Sequence, residues 1–268
     1  MSWWKLPRTF PLQIFLLALL LRVVPVVMLR NMGIGLDDMF QYDMLARSIS
    51  VGDGYRWYAE IDLPTVLPYL HLDLTSIDYD PRGVQTSFRP PLYPAFLALI
   101  YFVFGLGTRR FFIARLVQTV LAASMAPLTY SVARRLFPDR EPAARVSAWV
   151  ITLYPMLVIY PLSLATENLF FVLVLCSVLA LLKAKESLGN LFSQKEISKS
   201  FVVKTRWFTL SGILLGLTCL TRSVGQIFAI FAVVWVWFFL KERKNAIVVL
   251  LMAGMVVVPW VIRNSLLY

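Results

Sequence analysis

The chain has 268 residues, 59% of them hydrophobic, and a formal net charge of +11. A soluble domain of this length cannot hide that much apolar surface, so the composition excludes a water-soluble globular protein and implies an all-α polytopic membrane protein. The positive charge does not point to nucleic acid, which would need a basic patch on one soluble face; excess Lys and Arg belong instead to the cytoplasmic loops of membrane proteins.

In chain order, apolar runs lie near 10–30, 91–107, 111–133, 144–163, 168–182, 208–221, 224–240 and 246–262. Several approach or exceed the roughly 20 residues that cross a bilayer. The first run is too long for the core of a signal peptide and lacks a convincing small-residue cleavage site, so it reads as a retained anchor. The run 91–107 opens on Pro90, Pro91 and Pro94, which suit a broken entry better than a regular helix. The stretch 183–207 is polar and basic and reads as a mobile cytoplasmic loop. Cys176 and Cys219 both fall inside apolar runs and read as small core residues, not as a disulfide or a metal pair. His71 is the single histidine, which excludes multi-histidine metal sites.

Charge placement sets the predicted topology. If 91–107 dips into the membrane without crossing and the N-terminus is cytoplasmic, 15 of the 26 basic residues lie inside, including every lysine. If 91–107 is a full crossing, only six remain inside. The first arrangement obeys the positive-inside rule. It predicts seven transmembrane helices plus one re-entrant or interfacial segment, in a single domain over 1–268. Its first outer loop, 31–90, carries nine of the 15 acidic residues and short interfacial helices.

That loop opens on Asp37-Asp38. Asp38, Tyr42 and Ala46 share one face of a predicted helix over about 39–50. Taken alone Asp38 is a natural N-cap for it, but with Asp38 read as a base it is Asp37 that caps or tunes it. Gly52-Asp53-Gly54 reads as a turn, and no GxxxxGK or GxGxxG phosphate loop occurs anywhere. Arg89 precedes a Pro-Pro step that restrains it; with Tyr93 it suits either an interfacial anchor or a site. Glu167 follows Thr166 at the start of a run, as a cap or as a functional carboxylate at a membrane edge. Arg222 and Arg263 end or interrupt apolar runs, where snorkelling is the plain reading. Under the charge-derived topology these acids and arginines all reach one outer boundary. Arginines there suit phosphate oxygens, and a carboxylate suits proton removal from a hydroxyl. Tyr55, Trp57, Tyr58 and His71 are equally readable as sugar contacts or as interfacial residues.

The ordered series resembles the N-terminal half of GT-C-type membrane glycosyltransferases, nearest to the protein O-mannosyltransferase and aminoarabinose lipid A transferase families. It comprises Asp38 with Tyr42, Gly52-Asp53-Gly54-Tyr55, Arg89-Pro90-Pro91-Leu92-Tyr93-Pro94, Ala114-Arg115-Leu116, Thr166-Glu167-Asn168, Leu220-Thr221-Arg222 and Pro259-Trp260-Val261-Ile262-Arg263-Asn264. The resemblance implies a polyprenyl-phosphate sugar donor, a hydroxyl acceptor and reaction on the extracytoplasmic face of a membrane, most simply the bacterial inner membrane. It makes Asp38 the general base beside Asp37, has Glu167 position the acceptor or a cation, and has Arg222 hold the donor phosphate. Arg89 and Arg263 are further phosphate-binding candidates, and Tyr42, Tyr55 and Tyr93 are substrate-binding candidates. Carboxylates alone are offered to any cation, so Mg²⁺ or Mn²⁺ is the ion such a site would take. Family members continue with further helices, so the resemblance also admits a fragment, a split enzyme completed by a partner polypeptide, or an inactive relative. A transporter of a lipid-linked substrate would place its ionisable residues at mid-membrane and show repeated halves, and neither pattern is present.

Overall fold

A computed structural model of the chain describes residues 9–69, 79–191 and 197–267. Helix α1 (Thr9–Met28) leads into the first long loop, which holds α2 (Asp38–Val51), strand β1 (Arg56–Trp57), a 3-10 turn (Glu60–Asp62), α3 (Leu63–Val66) and strand β2 (Val84–Gln85). There follow α4 (Leu92–Phe104), α5 (Arg110–Leu136), α6 (Glu141–Leu153) and α7 (Pro155–Ile159), which ends in a 3-10 turn (Tyr160–Leu162). The chain continues through α8 (Glu167–Leu191), α9 (Ile197–Thr221), α10 (Gly225–Val234) with a π-helical turn (Trp235–Phe239), and α11 (Arg243–Ser265).

Among the described residues, α1, α5, α8 and α11 are long and apolar enough to cross a membrane, and α6 with α7 forms a fifth candidate bent by 55°. The predicted count of seven is therefore reached only by adding α9, whose first turns carry Lys199, Lys204 and Arg206, and the shorter α10 unit. Helix α4 has 13 residues and is about 20 Å long, short of the roughly 30 Å hydrocarbon layer. The 183–207 stretch is not one loop. Helix α8 runs to Leu191 and α9 starts at Ile197, because Ala, Leu, Lys and Glu are all good helix formers. The loop 31–90 also departs from all-α character: β1 and β2 pair antiparallel, Arg56 opposite Gln85 and Trp57 opposite Val84. Gly83 makes that close pairing possible, since a Cβ there would lie 2.4 Å from the Trp57 carbonyl oxygen.

Helix α1 shows how apolar sequence becomes a bundle. Ile14, Ala18, Arg22 and Val26 recur every fourth residue and are buried, while Leu12, Leu16 and Leu20 recur in the same way and are exposed. Ile14 and Ala18 of that stripe pack in one cluster with Ala123 and Ala126 of α5 and Ala144 and Ala148 of α6. Small residues there let the backbones approach closely. The buried Arg22 has a structural use. Pro155 ends the α6 ladder and leaves the carbonyls of Ile151 and Thr152 without helical donors. Arg22 donates to both, at 2.8 and 3.3 Å. On the other side, α9 packs between α8 and α11. Gly212 and Gly216 form its contact face. A Cβ on Gly212 would lie 2.6 Å from the Val249 carbonyl, and one on Gly216 would lie 2.7 Å from the Val256 Cβ.

Candidate active site at one end of the bundle

Helix α2 begins at Asp38, one residue earlier than the sequence predicts. Asp37 is the residue that caps it, accepting from the Met39 amide at 2.9 Å. Of the two aspartates the sequence offers as caps, Asp37 takes the role, as the sequence reading favours. The Asp38 carboxylate is thereby left projecting from the first turn, 65% exposed. Arg89 pairs with it and also donates to Gln41 Oε1 at 2.8 Å. The same guanidinium lies 5.3 Å over the Tyr42 ring. Burial pushes the Tyr42 hydroxyl above the ordinary phenol range, with the Arg89 charge opposing, so Tyr42 stays protonated at neutral pH.

The opposite wall comes from α8 and the end of α9. Glu167 opens α8 and pairs with Arg222, which also donates to Thr166 Oγ1 at 3.1 Å. The segment before Glu167 is pinned from below by α5. Gln118 donates to the carbonyls of Pro161 and Ser163 at 2.8 and 2.7 Å. Arg115 donates to Leu162 at 2.7 Å, and its other nitrogens hold the carbonyls of Met32 and Gly33. One buried arginine thus ties the start of the long loop to the Glu167 segment. At the far wall, Gly225 packs on the Thr218 carbonyl and the Cys219 amide, where a Cβ would come within 2.7 Å. That close approach lets the chain turn immediately after Arg222.

These walls enclose a cavity of about 630 Å³ lined by Asp37, Asp38, Tyr42, Arg89, Glu167 and Arg222, with Met156, Ile159 and Leu162 as its apolar side. Met156 and Ile159 are themselves exposed on the bundle surface. Six of the nine residues singled out by sequence therefore meet. Three stand apart. Tyr93 is fully buried, with its hydroxyl donating to Gln118 Oε1 at 2.9 Å and its ring against Tyr42. It supports Tyr42 rather than facing a substrate, which corrects its assignment. Tyr55 donates to the Arg89 and Pro90 carbonyls, at 2.9 and 3.3 Å, and so fixes the backbone that carries Arg89. Arg263 donates to the Thr86 carbonyl at 2.5 Å and sits over the Tyr55 and Trp260 rings, binding the flanks of the β1–β2 pair to the end of α11. His71 lies outside the described residues.

The sequence reading missed Asp43. It is 1% exposed and accepts from Arg47 (2.9 Å), from Arg110 (2.9 and 3.1 Å) and from the Tyr101 hydroxyl (2.9 Å). Arg47 also pairs with Asp62 at 2.5 Å. Burial raises the Asp62 carboxyl, with Arg47 opposing. This network ties α2 to α4 and α5. Its one local signal is the i, i+4 spacing of Asp43 and Arg47.

The three carboxylates of the cavity are already engaged: Asp37 with an amide, Asp38 with Arg89 and Glu167 with Arg222. Among the described residues no three acidic, histidine or cysteine side chains group closely enough to hold a metal ion. A divalent cation of the kind the resemblance admits would have to take Asp38 from Arg89 or Glu167 from Arg222.

No protein-family model matches the chain, and no curated protein matches it by sequence. By structure it is similar to the oligosaccharyltransferase of Archaeoglobus fulgidus, a crystal structure with a tethered acceptor peptide containing the NVT sequon. The TM-score is 0.65 and the identity 18%, over 97% of this chain and 30% of that one. The chain thus spans under a third of that protein's length. Over nearly all of its own length it has the fold of GT-C-type membrane glycosyltransferases.

Proposed function

We propose that the cavity transfers a sugar from a polyprenyl-phosphate donor to an acceptor hydroxyl, on the extracytoplasmic face of a cell membrane. The observation that carries this reading is the cavity's two-sided character. Carboxylate–arginine pairs line its polar walls, and Met156 and Ile159 continue its apolar wall to the bundle surface. A phosphate bearing a lipid tail has that same division. The Archaeoglobus protein is an oligosaccharyltransferase by name, which supports glycosyl transfer in general.

In this reading Asp38 accepts the proton of the acceptor hydroxyl. The acceptor oxygen forms its bond to the anomeric carbon as the bond from that carbon to the phosphate oxygen breaks, and one displacement inverts the centre. The polyprenyl phosphate leaves with the bonding electron pair, so the groups that matter on its side are cations, not acids. Arg222 supplies them, with Arg89 beside Asp38. Each guanidinium has five donors, so its carboxylate partner leaves others for phosphate. Glu167 holds Arg222 in place.

The test is transfer of radiolabelled sugar from a panel of polyprenyl-phosphate sugars by the full chain in liposomes. Asp38→Asn is expected to lower the rate by about 100-fold or more, and full-rate transfer by that variant overturns the base assignment. Transfer that appears only when a second polypeptide is supplied establishes the chain as the subunit of a split enzyme.

A further inference from the structure

A second cavity, of about 800 Å³, lies between the end of α1 and the start of α5, lined by Val27, Arg30, Met32, Arg109, Arg110 and Phe112 among others. It is separate from the candidate active site and shares only Met32 with it. We propose that this cleft binds the phosphate of an anionic phospholipid in the adjoining leaflet.

Charge is the first argument. Arg30 and Arg109 are exposed, and their guanidinium groups make no hydrogen bond or ion pair among the described residues. Arg110 is different, being committed to Asp43 at 2.9 and 3.1 Å. No acidic side chain lines the cleft, and the nearby Asp43 is saturated by Arg47, Arg110 and Tyr101. The start of α5, a 27-residue helix, adds its partial positive charge. Two carbonyls that would repel an anion, those of Met32 and Gly33, are held by Arg115. The cleft therefore carries unneutralised positive charge on a floor fixed from within the bundle.

Position is the second argument. The cleft joins the ends of two span-length helices, so it sits at a membrane boundary. At its rim Val27, the adjacent Met28, and Leu106, whose carbonyl accepts from Arg110 at 3.4 Å, are apolar and exposed. A free phosphate ion would use the arginines and leave those side chains bare. A phospholipid uses both, with its phosphate between Arg30 and Arg109 and its acyl chains along the apolar rim. Guanidinium groups suit that phosphate through paired, charge-assisted hydrogen bonds.

The test is native mass spectrometry of the purified full chain in detergent. Phosphatidylglycerol and phosphatidylcholine with identical acyl chains are added in equal amounts. The expected result is about tenfold preferential retention of phosphatidylglycerol. Arg30→Gln with Arg109→Gln abolishes the preference. Arg30→Lys with Arg109→Lys keeps the charge and most of the preference, which separates loss of the site from loss of the fold. Arg134→Gln with Arg140→Gln, at the other end of α5, leaves the preference intact. Three results overturn the proposal: equal retention of the two lipids, equal loss in the Arg134 and Arg140 variant, or displacement of the lipid by millimolar inorganic phosphate. Sugar transfer is not the readout, so this inference stands or falls apart from the transferase reading.

Discussion

At the scale of single residues, the two adjacent aspartates divide their work by one position of helix register. Asp37 spends its carboxylate on the Met39 amide, whereas Asp38 faces the cavity beside Arg89. Substitution separates the two roles. Asp37→Ala removes a cap and is expected to destabilise α2 by about 1 kcal/mol with only a modest drop in transfer rate. Asp38→Asn is expected to leave thermal stability nearly unchanged and to remove transfer. Thermal unfolding and transfer measured on both variants check the division; an equal rate loss in both refutes it. The sequence named the pair, favoured Asp38 as the base through its spacing to Tyr42, and left the cap to Asp37, where the structure has it; only the start of the helix was read one residue late. Both aspartates are good caps, and which one takes the role depends on how the chain enters the helix. The tyrosines were harder to read. Tyr42 and Tyr93 look alike in sequence, but Gln118 of α5 claims the Tyr93 hydroxyl, a contact across 25 residues that no local pattern announces.

Helices and loops are held to one another by two different devices. Helix α2 is fastened through charge. Asp43 is almost wholly buried between Arg47, Arg110 and Tyr101. Removing one partner from a buried ionic network costs more than the network contributes, because the other charges stay behind. Asp43→Asn is therefore expected to cost about 2–3 kcal/mol, below the range for full burial because both arginines keep some solvent contact. It is also expected to increase proteolytic cleavage in the loop 31–90. An unchanged melting temperature and cleavage pattern would remove the network from the account. Helix α9 is fastened through shape. Gly212 and Gly216 bring it against the backbone of α11, so Gly216→Leu must push the helices apart, at an expected cost of about 1–3 kcal/mol. Gly254→Ala on α11, where a Cβ meets nothing within 4 Å, is the control and should be neutral. The two devices were unequally visible. The glycine pair stands four residues apart in plain sequence, but its meaning depends on Val249 and Val256 lying opposite. Asp43 pairs with Arg47 locally and with Arg110 only through the fold.

For the whole molecule, the apolar runs carried most of the information on where the helices lie, and the lysine distribution supplies only the expected orientation. Every run became helical, the run 144–163 as two helices broken before Pro155, and the run that opens on three prolines as the short α4. What composition could not resolve is which helices cross. Helix α9 starts in a basic segment, α6 and α7 bend at Pro155, and α10 ends in a π turn. At the Pro155 break a tertiary contact rather than hydropathy fixes the path, as the Arg22 bonds across it show. Orientation nonetheless has a direct test, because the arrangement places Arg82 and Ser163 at the end bearing the candidate site and Asp139 at the other. The charge count puts the site end outside. Arg82→Cys and Ser163→Cys, made in a chain lacking Cys176 and Cys219, should react with a membrane-impermeant maleimide on intact cells. Asp139→Cys should react only after the membrane is opened. Arg82 and Ser163 belong to different connections, one between α1 and α5 and one between α7 and α8, so their joint labelling depends on an even number of crossings between them. Opposite labelling of those two positions breaks the bundle topology. Joint labelling from the cytoplasmic side keeps the topology but inverts it, and with it the membrane face on which Asp38 would meet its acceptor.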